Sequence, residues 1–246
     1  MPLKADFHCH VKLLGHHSFR PAQLVKRLSW ARRVGLDLLA VTEHIDLPDF
    51  WEIYEHLESL CRDHSGCFSW RGLTVLTGAE VNIYEGGHIL MIGSLDHMRE
   101  LEKRMGRLDA RNFPFLKDLL DASEDLEFLR IGAHPCRVNH DLWKMGPLLK
   151  RLDALEINAN ELSMSEWVSS QSAKMGLPVL AGSDAHHWLQ LGRVFNLLPY
   201  SYNGGYTVAQ LKRVIARGEA AWYRPGAVSA FIRGLLKGGA VEGCGD

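Results

Sequence analysis

Residues 37–44 read Asp37-Leu38-Leu39-Ala40-Val41-Thr42-Glu43-His44: a short apolar run that stops abruptly in a hydroxyl, a carboxylate and an imidazole. An apolar run of that length reads as a buried strand, so the polar triplet falls at its carboxyl end. The segment before it is helical. Pro21 is preorganised for a first turn, Leu24, Val25, Leu28 and Ala31 recur at 3/4 spacing, and Gly35 stops the pattern. One step further upstream, residues 3–9 read as another strand that runs into Asp6-Phe7-His8-Cys9-His10. Strand, helix and strand in that order make a βα unit of a parallel sheet.

The alternation continues along the chain. Strands are expected near 3–9, 37–42, 74–82, 88–93, 128–133, 153–158, 178–182 and 193–198. Helices are expected near 21–34, 49–62, 113–122, 140–150, 163–175, 207–217 and 227–237. Only Glu85, Gly86, Gly87 and their neighbours separate 74–82 from 88–93, which predicts a hairpin rather than a crossover. No repeat or linker divides the sequence, so residues 1–246 read as one α/β domain of the β/α barrel class, with a glycine-rich tail at about 238–246 expected to be loose.

A chain of 246 residues, 46% hydrophobic and 23% charged, can bury a core of that size. No apolar run is long enough to cross a bilayer, and Met1 leads straight into Lys4 and Asp6, so a cytoplasmic protein without a membrane partner is expected. Cys9, Cys61, Cys67, Cys136 and Cys244 are odd in number and scattered, which predicts reduced, packed thiols. The formal charge of −1 gives no global attraction to a polyanion, so long nucleic acid is not favoured as a partner. The chemically informative excess is in the 13 histidines.

Several of these histidines stand with carboxylates at strand ends. The two-residue period puts His8 and His10 on one face of the first strand and Cys9 on the other. His44 and Glu43 end the second strand. Glu80, in Gly78-Ala79-Glu80-Val81-Asn82, is a carboxylate inside an apolar stretch, where burial without a cation would be costly. His88 opens the strand that the hairpin returns towards Glu80. His134 follows Leu129-Arg130-Ile131, with Pro135 fixing the turn behind it, and Gly182-Ser183-Asp184-Ala185-His186 repeats an Asp-x-His spacing after Val179-Leu180-Ala181. Parallel barrel strands deliver such ends to one rim. Nitrogen and carboxylate donors without thiolate suit Zn, Mn or Fe in a hydrolytic site, and an acidic residue able to bridge suits a multinuclear one.

With these motifs the sequence resembles the PHP family, the polymerase and histidinol phosphatase domains, over nearly its whole length. The resemblance rests on His8-x-His10, Thr42-Glu43-His44, Gly78-x-Glu80, the His88 strand, His134-Pro135 and Ser183-Asp184-Ala185-His186. It implies a distorted seven-stranded β/α barrel holding up to three Zn, Mn or Fe ions. By that analogy His8, His10, Glu80 and Asp184 hold the first ion, Glu80 bridges to a second held by His88 and His134, and His16, His44 and His186 hold the third. The sequence departs from the family pattern in placing His17 beside His16, in Glu43 where an aspartate is commoner, and in Lys12 where a small hydroxyl residue is frequent.

The expected activity is hydrolysis of a phosphate ester by a hydroxide held on two or three divalent ions, with Glu80, Asp184 and Arg137 carrying the chemistry. Arg137 closely follows His134-Pro135, and its planar fork suits phosphate oxygens; a packing role is the alternative, and Arg193 is a weaker candidate for the same work. Glu156, Asn158 and Asn160 end a strand where they would orient ligands or meet substrate, and Glu43 either steadies a ligand or points away. His56, His64, His97 and His140 read as exposed helix or loop residues, and the basic stretch 212–237 as solvated helix faces. The expected substrate is a small phosphorylated molecule, which would need a closed pocket, or a short nucleotide or oligonucleotide, which would need an open basic or aromatic groove. The rival readings are a barrel amidohydrolase and a metal-holding regulatory module without catalysis.

Overall fold

The computed structural model describes residues 1–13, 18–64, 67–200 and 206–225. The expected helix at 227–237, the tail at 238–246, His16 and His17 lie outside the described residues.

In chain order the elements are β1 (Leu3–Asp6), α1 (Pro21–Val34), β2 (Leu38–Val41), α2 (Phe50–Leu60), β3 (Arg62–His64), β4 (Cys67–Trp70), β5 (Leu73–Asn82), β6 (His88–Ile92), α3 (Leu95–Met105), α4 (Leu116–Ala122), β7 (Leu129–Ala133), β8 (Ala154–Asn158), α5 (Ser165–Met175), β9 (Val179–Gly182), β10 (Phe195–Leu198), α6 (Val208–Ala216) and β11 (Ala221–Tyr223). The sheet runs β11-β10-β1-β2-β5-β6-β7-β8-β9, and β1, β2, β5, β6, β7, β8 and β9 curl into a nearly closed, barrel-shaped mixed sheet. The expected hairpin is present: β5 and β6 pair antiparallel with Asn82 opposite His88, so the first residue of β6 stands at the same rim as the end of β5.

Side-chain alternation divides the core into two layers. Leu38, Ala40, Leu76, Leu90, Ile92 and Leu180 belong to one cluster with Leu211 and Ile215 of α6. Leu39, Val41, Val75, Ile89 and Met91, from the intervening positions, pack with Leu24 and Leu28 of α1, Ile53 and Leu57 of α2 and Met98 of α3. The first cluster is the barrel lumen. Lys212 of α6 donates to the carbonyl of Phe128, just before β7 begins, so α6 packs at the amino-terminal end of the strands, opposite their carboxyl ends.

The barrel closes by two means. Near the open rim Cys9 bridges Ala185 in parallel, and His10 N donates to Ala185 O at 3.0 Å. Lower down, β10 pairs antiparallel with β1. There the buried Asn196 side chain spans the seam: its Oδ1 accepts from Ala181 N at 2.8 Å, and its Nδ2 donates to Ala181 O at 2.8 Å and Ala5 O at 3.2 Å. The strand expected at 193–198 is therefore an antiparallel flank of β1 and not a further parallel barrel strand.

Other expectations change as well. The segment 140–150 forms a 3₁₀ path over Trp143–Arg151 instead of an α-helix, because Gly146 takes φ 52°, ψ −124° and Pro147 follows with no N–H to give. Helix α3 was not expected. It is capped by Ser94 Oγ, which accepts from His97 N at 3.2 Å, and it buries Leu95, Met98 and Leu101. Strands β3, β4 and β11 are short additions that the sequence reading did not include. Among the described residues no helix is long and apolar enough to cross a membrane.

Candidate metal centre

Seven barrel strands end, or begin, at the open rim, and that is where the histidines gather. His8 and His10 follow β1, His44 follows β2, Glu80 lies near the end of β5, His88 opens β6, His134 follows β7, and Asp184 and His186 follow β9. Two of these residues sit in the left-handed region that side chains rarely adopt: His134 at φ 28° and Asp184 at φ 49°. Strained backbone of this kind persists where packing holds a side chain in a required direction.

Glu80 is the hub. It is 1% exposed, and its two oxygens face different partners. Oε2 lies 3.2 Å from His8 Nε2, 3.0 Å from His10 Nε2 and 3.3 Å from His44 Nε2. Oε1 lies 2.6 Å from His88 Nδ1 and 2.9 Å from His134 Nε2. Three donor groups result, two of which share His10: His8, His10 and Asp184; Glu80, His88 and His134; and His10, His44 and His186.

Carboxylates behind the rings fix their orientation. Glu156 Oε1 lies 2.7 Å from His8 Nδ1, while its Oε2 accepts from His134 N at 2.7 Å and from Asn158 Nδ2 at 2.9 Å. Glu43 Oε1 lies 3.0 Å from His10 Nδ1, while its Oε2 accepts from the backbone N–H groups of Val11 and Lys12, both at 2.9 Å. A neutral ring whose Nδ1 donates to a carboxylate presents a bare lone pair at Nε2. The two Nε2 atoms of His8 and His10 face each other at 3.1 Å. Such a convergence of lone pairs is unfavourable unless a cation or a proton lies between them.

The electrostatics carry the same signature. Burial opposes charge on His8 and His10, yet Glu156, Glu80 and Asp184 around His8, and Asp184, Glu43 and Glu80 around His10, hold both rings well above the usual histidine range. Burial likewise opposes ionisation of Glu80 and Asp184, and the imidazoles hold both well below the carboxylate range. Glu43, for all its burial, is brought down to about 2 by His10 and the Lys12 N–H. His44 goes the other way, lowered to about 4 chiefly by burial. Asp184 Oδ1 is buried and makes no hydrogen bond of normal geometry, although it lies 3.3 Å from His10 Nε2 and 3.5 Å from His8 Nε2. Buried anionic oxygens aimed at imidazole nitrogens, with an orphaned acceptor among them, fit a bound divalent cation. The donor set is nitrogen and oxygen only. Cys9 faces away, its thiol pushed up to about 12 by burial.

A family model described as PHP-associated matches residues 169–219. Among solved structures, PsfC from Pseudomonas syringae PB-5123 superposes with a TM-score of 0.71 at 21% identity, over 96% of each chain. A lesion-specific endonuclease Q from Pyrococcus furiosus superposes with a TM-score of 0.69 at 21% identity, over 88% of this chain and 56% of that one. A second endonuclease Q structure, in complex with a 27-mer duplex substrate that has an abasic lesion at the active site, gives 0.69 at 20% identity, and this chain spans 58% of it. No curated protein matches the sequence. These findings support a PHP family assignment. At such identities the superpositions establish the shared fold, the distorted barrel expected of a PHP-type chain.

Of the PHP-type ligands implied by the sequence, His8, His10, His44, Glu80, His88, His134, Asp184 and His186 fall into the three donor groups, within each of which the ligand atoms lie no more than 4.8 Å apart. The group containing His44 and His186 shares His10, whose ring stacks on both at 4.8 and 4.1 Å; His16 lies outside the described residues. Arg137 reaches the centre: Nη2 donates to Asp184 Oδ2 at 2.6 Å and Nε to Glu161 Oε1 at 2.8 Å. Arg193 stands one residue further out, donating to Asn160 Oδ1 and Ala159 O. Lys12 turns away from the rings and pairs with both oxygens of Asp49 at 2.7 and 2.8 Å.

Two corrections follow. His140 is not an exposed residue: it is half-buried, with its ring 4.6 Å from His88, because the stretch 139–142 after β7 lies against Gly86 and Gly87 of the β5–β6 hairpin. His56 and His97 are also half-buried, against Phe19 and Phe128. Arg27 was missed. It is buried in α1, with its guanidinium donating to the carbonyls of His10 and His186, and so ties together two ligand-bearing loops. Its position beside Leu24, Leu28 and Ala31 on the apolar face of the helix was the available signal.

Proposed function

We propose that residues 1–246 act as one metal-dependent phosphoesterase that hydrolyses a small phosphorylated molecule, a nucleotide or a short oligonucleotide, using two or three divalent ions such as Zn, Mn or Fe. The observation that carries this reading is the division of Glu80: one oxygen among His8, His10 and His44, the other between His88 and His134. His8, His10, Glu80 and Asp184 would hold one ion, Glu80, His88 and His134 a second, and His44 and His186, with His16, a third. When bound, such ions lower the pKa of water towards neutrality and neutralise charge on phosphoryl oxygens.

The chain's own residues do the rest. Glu43 and Glu156 keep His10 and His8 in the tautomer that presents Nε2. Arg137 has five N–H donors, of which its contacts with Asp184 and Glu161 engage only part, so it can turn a fork towards a phosphate beside Asp184. The global charge of −1 does not speak against nucleic acid at a local site, and the duplex held by endonuclease Q keeps a nucleic-acid phosphodiester within the substrate range. Elemental analysis of protein purified without chelator, followed by assay against phosphate mono- and diesters, tests the reading. Only trace metal that does not rise on reconstitution would overturn it.

Arg137→Ala is expected to raise KM or lower kcat/KM by about tenfold or more at unchanged metal content, as loss of a charge-assisted contact to phosphate requires. Unchanged kinetics would return Arg137 to a packing role.

A further inference from the structure

The chain beyond β7 is wound so that one further imidazole reaches the rim. Arg137 N donates to His134 O at 3.0 Å and His140 N to Arg137 O at 2.9 Å, so two successive turns carry these three residues on one short loop. Asn139 takes a left-handed φ of 67°, and Leu142 N donates to Pro135 O at 3.2 Å, which closes the loop. Leu142 is fully buried against Gly87, where a Cβ would collide with its Cδ2. Packing and backbone bonds therefore hold His140 in place, its ring centroid 4.6 Å from that of His88 and 6.4 Å from that of His134.

The hydrogen bonding of this ring is the reverse of that of the ligands. His8 and His10 each direct Nδ1 at a carboxylate, Glu156 or Glu43, and so present a bare Nε2 to the centre. His140 Nδ1 is buried, closed off from water, and has no hydrogen-bond partner, whereas Nε2 of this half-buried ring is not enclosed. The proton of a neutral imidazole goes to the nitrogen that finds an acceptor, here Nε2, and a protonated ring carries an N–H there as well. His140 Nε2 is thus a hydrogen-bond donor in either state. A donor has no lone pair to give a cation, and it suits an anionic oxygen instead. His56 Nε2 and His97 Nδ1 are also unpartnered, but those rings pack on Phe19 and Phe128 and not on an imidazole of the centre.

We infer that His140 Nε2–H donates to a terminal oxygen of the substrate's phosphoryl group, as a second substrate contact on the loop that carries Arg137. The inference rests on the phosphoesterase reading and adds to it a residue outside the ligand set. Two N–H-bearing side chains on one loop, beside the group of Glu80, His88 and His134, match a phosphoryl group, whose three terminal oxygens share the charge of the transition state. An amide or carboxylic ester develops a single oxyanion and would leave one of the two donors unused.

The test uses the full-length, metal-loaded chain with inorganic phosphate as the probe, its affinity read by isothermal titration calorimetry, beside kcat and KM on p-nitrophenyl phosphate. His140→Phe keeps a ring against His88 and removes the donor. It is expected to weaken phosphate binding about tenfold and to raise KM more than it lowers kcat, with metal content unchanged. His140→Gln, whose amide nitrogen reaches about as far as Nε2, is expected to restore most of the loss. A packing role alone would give the opposite order, with Phe close to wild type and Gln impaired, and that order overturns the inference. Loss of an ion in His140→Phe overturns it too, since the ring would then be a ligand, as does a wild type that binds no phosphate. If His140→Phe fails to fold, His140→Ala takes its place, and wild-type phosphate affinity there is equally decisive against the contact. Should the wild type hydrolyse phosphate esters while His140→Phe binds phosphate normally, the contact fails and the phosphoesterase reading stands. Should it hydrolyse no ester while phosphate binding still follows the donor at His140, the contact stands as an anion site and the phosphoesterase reading fails.

Discussion

Glu80 could not sit where it does as an isolated carboxylate. At 1% exposure its ionised form depends on the imidazoles around it, His44, His8 and His88 foremost, which outweigh the cost of its burial. Glu80→Gln keeps the shape and removes the charge, so two neighbouring cations would lose their shared counter-charge and repel each other more strongly. The variant is expected to lose metal from both flanking groups and at least about 100-fold in activity on a phosphate ester. His44→Ala touches only the Oε2 side and is expected to retain the other group. Metal stoichiometry and kcat/KM, taken beside a thermal melt, decide the matter; a full metal complement in Glu80→Gln would remove it as the bridge. Glu80 was legible in the sequence because a carboxylate inside an apolar run demands a partner. That Glu156 and Glu43 could steady ligands was legible from their places at strand ends, but which ring each holds was not, because each orients a ring carried by a different strand.

At the level of elements the site depends on how the first and last barrel strands meet. Gly182 has to be glycine: a Cβ there would lie 1.9 Å from Glu156 Oε1 and 2.7 Å from His8 Cβ, in the space where the two side chains pair. Below it, Asn196 takes the place of a missing ladder between β9 and β1 by bonding both polar groups of Ala181 and the carbonyl of Ala5. Asn196→Leu would leave these groups buried and unpaired, at about 1–3 kcal/mol each. Its Tm is expected to fall by about 5 °C or more. A melt superimposable on the wild type would mean that the seam is held elsewhere. The β5–β6 hairpin was legible from Gly86 and Gly87, and α1 from its spacing and caps; the break in the 3₁₀ segment was signalled by Gly146-Pro147 but masked by the apolar periodicity around it.

For the whole molecule, the clustered charges give metal-free protein a distinct response to pH. His8 and His10 have folded pKa values raised well above the ordinary 6.5, so the stability they contribute is fully present below pH 6.5 and is lost as pH rises through the raised values. His44 and His186 are lowered and already neutral above pH 6.5, so they do not alter that limb. Chelated protein is therefore expected to melt at progressively lower temperature as pH is raised from about 6.5 towards 9. With metal the trend should flatten or reverse, because deprotonated imidazoles are the ligating form and binding stabilises the fold. Differential scanning fluorimetry across that range, with and without reconstitution, reads both limbs. Identical alkaline slopes in the two states would show that the cluster does not exchange protons for cations.

The sequence alone determined the α/β class, the hairpin at Glu85-Gly86-Gly87, and which side chains gather at one rim. Those features follow from local periodicity, turn residues and the rule that strand ends of a barrel share a face. Only the tertiary structure decided how the rim is wired. It shows Glu80 divided between two imidazole groups, Glu43 and Glu156 behind His10 and His8, Arg27 tying His10 to His186, and His140 folded against His88. Each of these is a contact between residues brought together by strand register and barrel closure, and those are set by the packing of the whole sheet, to which no local stretch of sequence has access.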